Sequence, residues 1–292
     1  MPIVKVMLSQ KCFEKIIVPV DGSISCLRAQ ELAASIAKKF HSKVIVVHIV
    51  SHDFMHPELK AHHQLSPVVL QELDKVYLEA GQKILRQAKE FFLEEGVDVD
   101  AELFRDEDPA EKILEIAKDR GCDLIVIGNR AKTQSERFAL GSVTEKVSLY
   151  APCPVLITKG KTELRRLLVA VDGSAQANKA IDYAVAIAKK FEARITLVHV
   201  EESKLFSLKP DIAKKIGETI LLEAEKKIEG IAFDRILKTG SPSKVISKMA
   251  LAENFDLIVI GSRGMTSVKR FLLGSVSADV SMHARRSVLI IR

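Results

Sequence analysis

The chain contains the same series of sequence segments twice, in the same order. Each copy has an apolar run ending in Asp-Gly-Ser, a helix ending in AKKF, a β-rich run, a second apolar run ending in Gly, and a Leu-Gly-Ser-Val segment. The clearest pairs are EKIIVPVDG with RRLLVAVDG (14–22 and 165–173), CDLIVIGNR with FDLIVIGSR (122–130 and 255–263), and FALGSV with FLLGSV (138–143 and 271–276). Ordered self-similarity of this kind indicates a duplication. We therefore predict two domains, residues 1–160 and 161–292, joined near 159–166.

Short apolar runs alternate with helical patterns in each copy. In the second copy the predicted strands are 167–171, 194–200, 233–239, 256–261 and 287–291, and the predicted helices are 177–191, 211–229, 242–253 and 274–284. Continuous apolar runs are typical of strands buried on both faces, and this alternation implies right-handed crossovers in a parallel sheet. The predicted fold class is α/β, with two tandem five-stranded doubly wound parallel sheets.

The first copy is longer by about 18 residues between its second and fourth strands. This insertion, 51–67, precedes a helix predicted at 67–95 and contains His52, His56, His62 and His63. Their irregular spacing favours a solvated loop over a metal site, so we predict no metal there.

Composition excludes several classes of function. No apolar run approaches the roughly 20 residues of a membrane span, and the N-terminus lacks a secretory pattern, so we expect a cytoplasmic protein with no membrane partner. The net charge of +6 is spread along helices without interleaved aromatic residues, which gives no support to nucleic-acid binding and suits an anionic small ligand equally well. Four cysteines without metal or disulfide spacing are expected to be reduced and mostly buried.

Three features of the second copy converge on one edge of its predicted sheet. Asp172 ends the first strand, His199 and Val200 end the second, and a glycine-rich loop, 261–275, follows the fourth. The loop glycines allow close approach to a ligand or positive φ, and a helix starting at its end favours phosphate. A carboxylate would repel phosphate but accepts hydrogen bonds from ribose hydroxyls. Each feature alone is also typical of a plain turn or cap, but together they favour a nucleotide site.

The pattern Gly-x2-Gly-x9-Gly-Ser in this loop resembles the ATP-binding signature of the universal stress protein family. The Asp-Gly-Ser turn and the VHV segment at 198–200 resemble that family too. The resemblance implies an adenine nucleotide α-hydrolase-like fold that binds ATP or AMP, with Mg²⁺ as a companion left open. With the flanking strand residues, the implied contacts are Ala170, Val171, Asp172, Val200, Ile260, Gly261, Arg263, Gly264, Gly274, Ser275, Val276 and Ser277.

The first copy departs from this pattern. Ala131 replaces the second glycine, and Asp106, Glu107 and Asp108 place carboxylates where the second copy has Gly240 and hydroxyl residues. We expect a weaker triphosphate site, although AMP could occupy both copies. The corresponding positions are Pro19, Val20, Asp21, Ile49, Ile127, Gly128, Arg130, Gly141, Ser142, Val143 and Thr144.

No P-loop, Rossmann fingerprint or nucleophile elbow occurs in the sequence. The first hypothesis is therefore a nucleotide-binding stress-response or regulatory protein. A slow ATP-hydrolysing or phosphate-transferring enzyme, a structural dimerisation module and a flavoprotein are the alternatives. Because the last strand of each copy would lie at a sheet edge, we also expect 154–158 to pair with 287–291 within one chain. A further homodimer of chains rests on family likeness alone.

Overall fold

The computed structural model describes residues 12–50, 67–129, 140–202, 210–264 and 273–292. The first domain consists of β1 (Lys15–Pro19), α1 (Ile24–Phe40), β2 (Lys43–Val50), α2 (Pro67–Glu94), β3 (Val99–Arg105), α3 (Pro109–Asp119), β4 (Leu124–Gly128), α4 (Ser142–Tyr150) and β5 (Val155–Thr158). The second consists of β6 (Arg166–Ala170), α5 (Ala175–Phe191), β7 (Arg194–Glu201), α6 (Pro210–Glu225), β8 (Phe233–Thr239), α7 (Pro242–Ala252), β9 (Leu257–Gly261), α8 (Ser275–His283) and β10 (Ser287–Ile291).

The strands form one ten-stranded sheet in the order β3-β2-β1-β4-β5-β10-β9-β6-β7-β8. All pairs within a domain are parallel, whereas β5 and β10 pair antiparallel, with Leu156 opposite Leu289. The predicted α/β fold with two tandem doubly wound sheets is confirmed. The order within each domain reverses direction at its first strand, and this is where such sheets bind ligands.

Hydrophobic clusters cover both faces of the sheet, and each cluster draws on both domains. Helices α1, α2, α5 and α6 contribute to one face, where Leu156 and Leu289 are buried in the same cluster. Helices α3, α4, α7 and α8 contribute to the other, where Ile157 and Ile290 share a cluster. Alternate residues of β5 and β10 therefore bury apolar area on opposite faces of the joint between the domains.

Most predicted element ends agree with the structure to within a residue or two, and the exception is α6. It ends at Glu225 rather than at residue 229. The next turns are tighter, since the amides of Lys227 and Ile228 donate to carbonyls only three residues earlier. Gly230 then has a φ of +71°, which ends helical geometry. The insertion at 51–67 lies almost wholly outside the described residues.

None of the four cysteines forms a disulfide; Cys26, Cys122 and Cys153 are buried and Cys12 is half-buried, as expected. Burial raises the pKa of Cys122 to about 11 and that of Cys153 to about 12. These thiols are therefore protonated packing groups at neutral pH rather than nucleophiles.

Candidate functional site

Each domain places its predicted site at the carboxyl ends of two neighbouring parallel strands. These are β1 and β4 in the first domain and β6 and β9 in the second. The turn after β1 or β6 then meets the loop that leads from β4 or β9 into α4 or α8. The topology thereby brings together the features that are about 90 residues apart in the sequence.

The Asp-Gly-Ser turn of the second domain holds its carboxylate in a fixed position. Oδ1 of Asp172 accepts a hydrogen bond from the amide of Ser174 at 2.9 Å, and Gly173 has a φ of +84°. Ser174 caps α5, because its Oγ accepts from the amide of Ala177 at 3.1 Å. The turn at 21–23 makes the equivalent bonds before α1.

Gly264 lies directly against Asp172. A Cβ placed on Gly264 would lie 2.6 Å from Oδ2 of Asp172, well inside contact distance. Gly264 does not have a positive φ, so the prediction of a left-handed conformation there is wrong. The glycine is needed because the loop backbone approaches the carboxylate closely. Its counterpart, Ala131, lies outside the described residues.

Gly261 and Gly128 make room for the helix that follows the first strand of their domain. A Cβ on Gly261 would lie 2.9 Å from the backbone carbon of Gln176 in α5, and one on Gly128 would lie 2.7 Å from the carbonyl oxygen of Ser25 in α1. Neither glycine has a positive φ. The prediction of a positive φ at Gly261 is therefore wrong, and glycine is required there by packing against α5. Contact of Gly261 with a nucleotide stays a prediction.

Ser277 and Thr144 fix the last helix of each domain to the preceding strand. Oγ of Ser277 donates to the carbonyl oxygen of Gly261 at 2.6 Å, and Oγ1 of Thr144 donates to that of Gly128 at 2.8 Å. Both side chains are buried, at 3 % exposure. Because its proton is already donated, the Ser277 hydroxyl positions the loop and is not free to donate to a phosphate.

The N-terminus of α8 has no side-chain cap among the described residues. Gly274 is the N-cap residue and has no side-chain capping bond, while its amide donates to the carbonyl oxygen of Ser262 at 2.7 Å. The first amides of a helix have no intrahelical partner and lie at the positive end of its dipole. Ser275 and Val276 present such amides. Among the basic residues of the two glycine-rich loops, Arg263 lies within the described residues, whereas Arg130, Lys269 and Arg270 lie outside them.

A cavity of about 290 Å³ occupies the corresponding edge of the first domain. We call it the first-domain cavity. All the predicted first-domain positions that the structure describes line it: Pro19, Val20, Asp21, Ile49, Ile127, Gly128, Gly141, Ser142, Val143 and Thr144.

The opposite wall of this cavity was missed by sequence reasoning. It is formed by one face of α2, from Tyr77, Ala80, Gly81 and Ile84. Their spacing of three and four residues is the periodic signal that could have found them. Nothing in that spacing, however, distinguishes a cavity wall from an ordinary buried helix face.

Two equivalent histidines hold the strand ends of the sites. Nδ1 of His199 lies 2.8 Å from the carbonyl oxygen of Val171, and Nδ1 of His48 lies 2.6 Å from that of Val20. Because a carbonyl only accepts, Nδ1 carries the proton in both rings. These histidines therefore position the backbone next to Asp172 and Asp21 through their side chains.

The acidic run after β3 is compensated by lysines. Oε2 of Glu107 lies 2.8 Å from Nζ of Lys112, and Oδ2 of Asp108 lies 3.3 Å from Nζ of Lys146. The pKa of Asp108 is lowered, first by the amide of Glu111, which it caps, and then by Lys146. Neither acid lines the first-domain cavity. The charges of Glu107 and Asp108 are thus paired with lysines, and the weaker triphosphate binding expected from the acidic run stays a prediction.

Within the described ranges, no three His, Cys, Asp or Glu side chains are arranged to hold a metal ion. The four histidines of the insertion lie outside those ranges. Among the helices of the described residues, none combines the length and apolar character needed to cross a membrane.

The fold and the two glycine-lined edges define a tandem α/β protein with one candidate ligand site in each half. The sequence profile of the universal stress protein family matches residues 13–159 and 163–292. The chain therefore belongs to the universal stress protein family, in its tandem two-domain form.

Individual proteins and solved structures are similar to this chain. Universal stress protein MJ0531 of Methanocaldococcus jannaschii is 37 % identical over 150 residues, which cover 51 % of this chain and 84 % of that protein. The crystal structure of a universal stress protein from Archaeoglobus fulgidus matches with a TM-score of 0.71 at 24 % identity, covering 95 % of this chain and 96 % of that one. A universal stress protein in complex with cAMP is 26 % identical, with a TM-score of 0.37, and covers 44 % of this chain and 97 % of its own.

Proposed function

We propose that this universal stress protein is an adenine-nucleotide-binding stress-response or regulatory protein whose principal site lies in the second domain. Its domains are 1–160 and 161–292. The nucleotide is ATP or AMP, and Mg²⁺ accompanies the phosphates where a triphosphate is bound.

One observation carries this proposal: the Asp172 carboxylate lies against the backbone of Gly264, beside the start of α8, which has no side-chain cap among the described residues. Asp172 is held by the Ser174 amide at 2.9 Å, so it is oriented before any ligand arrives. In the proposed complex the carboxylate accepts hydrogen bonds from ribose hydroxyls, while the amides of Ser275 and Val276 donate to phosphate. The carboxylate accepts hydrogen bonds and the amides donate them, which matches the ribose and the phosphate of a nucleotide.

The first-domain cavity supports a second, weaker nucleotide site. Its lining is mainly apolar, with Asp21 and Ser142 at the positions of Asp172 and Ser275. The weaker affinity is expected from Ala131, since the equivalent Gly264 has no room for a Cβ. AMP places less phosphate against this loop than ATP does, so we propose that AMP is accepted here more readily than ATP.

We also propose that the domains pair through 154–158 and 287–291 in solution. The antiparallel register of Val288 with Ile157 and of Ile290 with Val155 supports this pairing. The burial of these four side chains supports it too, because separation would expose a wide apolar edge.

Calorimetric titration of the full chain with ATP, ADP and AMP tests the proposal. We expect saturable binding of at least one nucleotide with a Kd below about 1 mM, which corresponds to a binding free energy of about −4 kcal/mol. No heat from any of the three at that concentration would contradict the proposed function. Phosphate release from bound ATP would favour the enzymatic alternative, and a yellow protein would favour the flavoprotein.

A further inference from the structure

The two candidate sites differ at one wall position, Val50 in the first domain and Glu201 in the second. Strands β2 and β7 are both eight residues long, and these are their last residues. Val50 pairs with Arg105 and Glu201 with Thr239, in each case the last residue of the neighbouring strand. The positions are therefore structurally equivalent.

The surroundings of the two side chains are equivalent as well. A Cβ on Gly81 would lie 2.8 Å from both Cγ2 of Val50 and Cδ2 of His48. A Cβ on Gly217 would lie 3.1 Å from Oε1 of Glu201 and 2.9 Å from Cδ2 of His199. In each domain, a glycine of the long helix thus packs over the histidine and the strand-end side chain together.

In the first domain this position belongs to the wall of the site. Val50 lines the first-domain cavity together with Asp21, Gly128 and Ser142. The cavity is therefore apolar at this point. By equivalence, Glu201 lies at the wall of the second-domain site, two residues beyond the histidine that holds Val171.

Oε1 of Glu201 is buried and accepts no hydrogen bond from the described residues. A buried carboxylate oxygen without a donor is costly, and a ligand that supplies the donor removes that cost. Valine at the same position offers no acceptor. The second site therefore favours a ligand with a hydrogen-bond donor at this position, and the first site does not.

We propose that Glu201 is a specificity-determining residue, which selects in the second domain a purine nucleotide whose base carries an exocyclic amino group. Val50 makes the first domain indifferent to that group. The inference rests on the proposed function, and it adds that the base of the bound nucleotide lies beside the end of β7, at the position where Val50 lines the first-domain cavity.

The test compares ATP with purine riboside triphosphate, which lacks only the 6-amino group. Calorimetry is done on the full chain carrying Asp21→Ala, so that the second site is observed alone. We expect ATP to bind about tenfold more tightly than the analogue, the size of one well-placed hydrogen bond. Glu201→Val should reduce this ratio to about twofold or less by weakening ATP binding. Glu201→Gln, which keeps an acceptor oxygen, should retain part of the preference.

The first domain provides the reciprocal test. In the Asp172→Ala chain, Val50→Glu should create a preference for the amino-bearing nucleotide AMP over purine riboside monophosphate. An unchanged ratio in Glu201→Val, with both nucleotides still binding, would overturn this inference while leaving the proposed function intact. Absence of binding by every nucleotide in the unmodified chain would overturn both.

Discussion

Nζ of Lys159 donates a hydrogen bond to the carbonyl oxygen of Ser281 at 2.5 Å, across the joint between the two domains. Lys159 follows β5, and it also donates to the carbonyl oxygen of Ala284 at 2.9 Å, at the end of α8. Its counterpart after β10, Arg292, donates in the same way to the carbonyl oxygen of Ser148 in α4. Each domain thus caps the last helix of the other with a cation, which favours the negative end of the helix dipole.

Stability should depend on pH through Lys159. The side chain is 9 % exposed, and burial lowers its pKa from 10.5 to about 8. Between these values the unfolded chain holds the proton that the native protein has released, so stability rises with pH. Relative to Lys159→Met, we expect the free energy of unfolding to increase by about 2 kcal/mol between about pH 7.5 and about pH 9.5. Urea unfolding of both proteins at each pH measures the difference in their free energies of unfolding. A difference that does not change with pH would show that the ammonium keeps its proton in the native state.

A methyl group on Gly264 should weaken nucleotide binding. Its Cβ would displace Asp172, whose Oδ2 lies 2.6 Å from the Cβ position. We expect Gly264→Ala to raise the Kd for ATP at least about tenfold, and Gly264→Val to raise it further because its branched side chain is larger.

Gly230→Ala is the matched control, since no heavy atom lies within 4 Å of its Cβ position. That control should lose about 1 kcal/mol of stability through its positive φ and keep its affinity for ATP. Equal affinities for Gly264→Ala and the unmodified chain would rule out the proposed loop geometry.

Two serines at the start of α8 should separate stability from binding. Ser277 is buried and donates to the carbonyl oxygen of Gly261, so Ser277→Ala should lower the free energy of unfolding by about 1 kcal/mol. Ser275 is exposed at the first helical position. In the proposed complex its hydroxyl donates to phosphate beside its amide, so Ser275→Ala should weaken ATP binding with little change in stability. Thermal unfolding and calorimetry on both variants measure the two effects, and a reversed pattern would mean that the two roles have been exchanged.

The domain joint should be visible in hydrogen exchange. Leu156 lies opposite Leu289, and both are buried. We expect the amides of β5 and β10 to be protected as well as those of β1 and β6, because no free edge remains at the joint. Leu156→Pro removes one of these donors and should separate the domains or cause aggregation, whereas Leu156→Ile keeps the donor and should not. A soluble Leu156→Pro protein with unchanged small-angle scattering would contradict the proposed pairing.

The sequence was sufficient for the parts of the fold that depend on local patterns. Continuous apolar runs predict buried strands, and Ser174 predicts the start of α5, because strand burial and helix capping are encoded within a few residues. The duplication then places Asp172 and the glycine loop at one sheet edge, since both copies must follow the same topology.

Contacts between distant segments could not be predicted from these patterns. Glycine is required at position 264 because the Asp172 carboxylate, 92 positions earlier in the chain, leaves no room for a Cβ. The φ preference of glycine alone suggested a left-handed backbone instead. Likewise, the compensation of Asp108 depends on Lys146, which α4 brings close from outside the acidic run. Such pairings follow from helix packing on the sheet, which periodicity does not specify.

The most direct test of an asymmetric nucleotide-binding protein compares two aspartates at equivalent positions. ATP is titrated by calorimetry into the chains carrying Asp172→Ala and Asp21→Ala, with the unmodified protein as reference. Both substitutions remove the same turn hydrogen bond, at 2.9 Å and 3.0 Å respectively, so their effects on folding are matched. We expect Asp172→Ala to abolish most ATP binding and Asp21→Ala to reduce it little. The opposite ranking, or ATP binding by Asp172→Ala that equals that of the unmodified chain, would contradict a principal nucleotide site in the second domain.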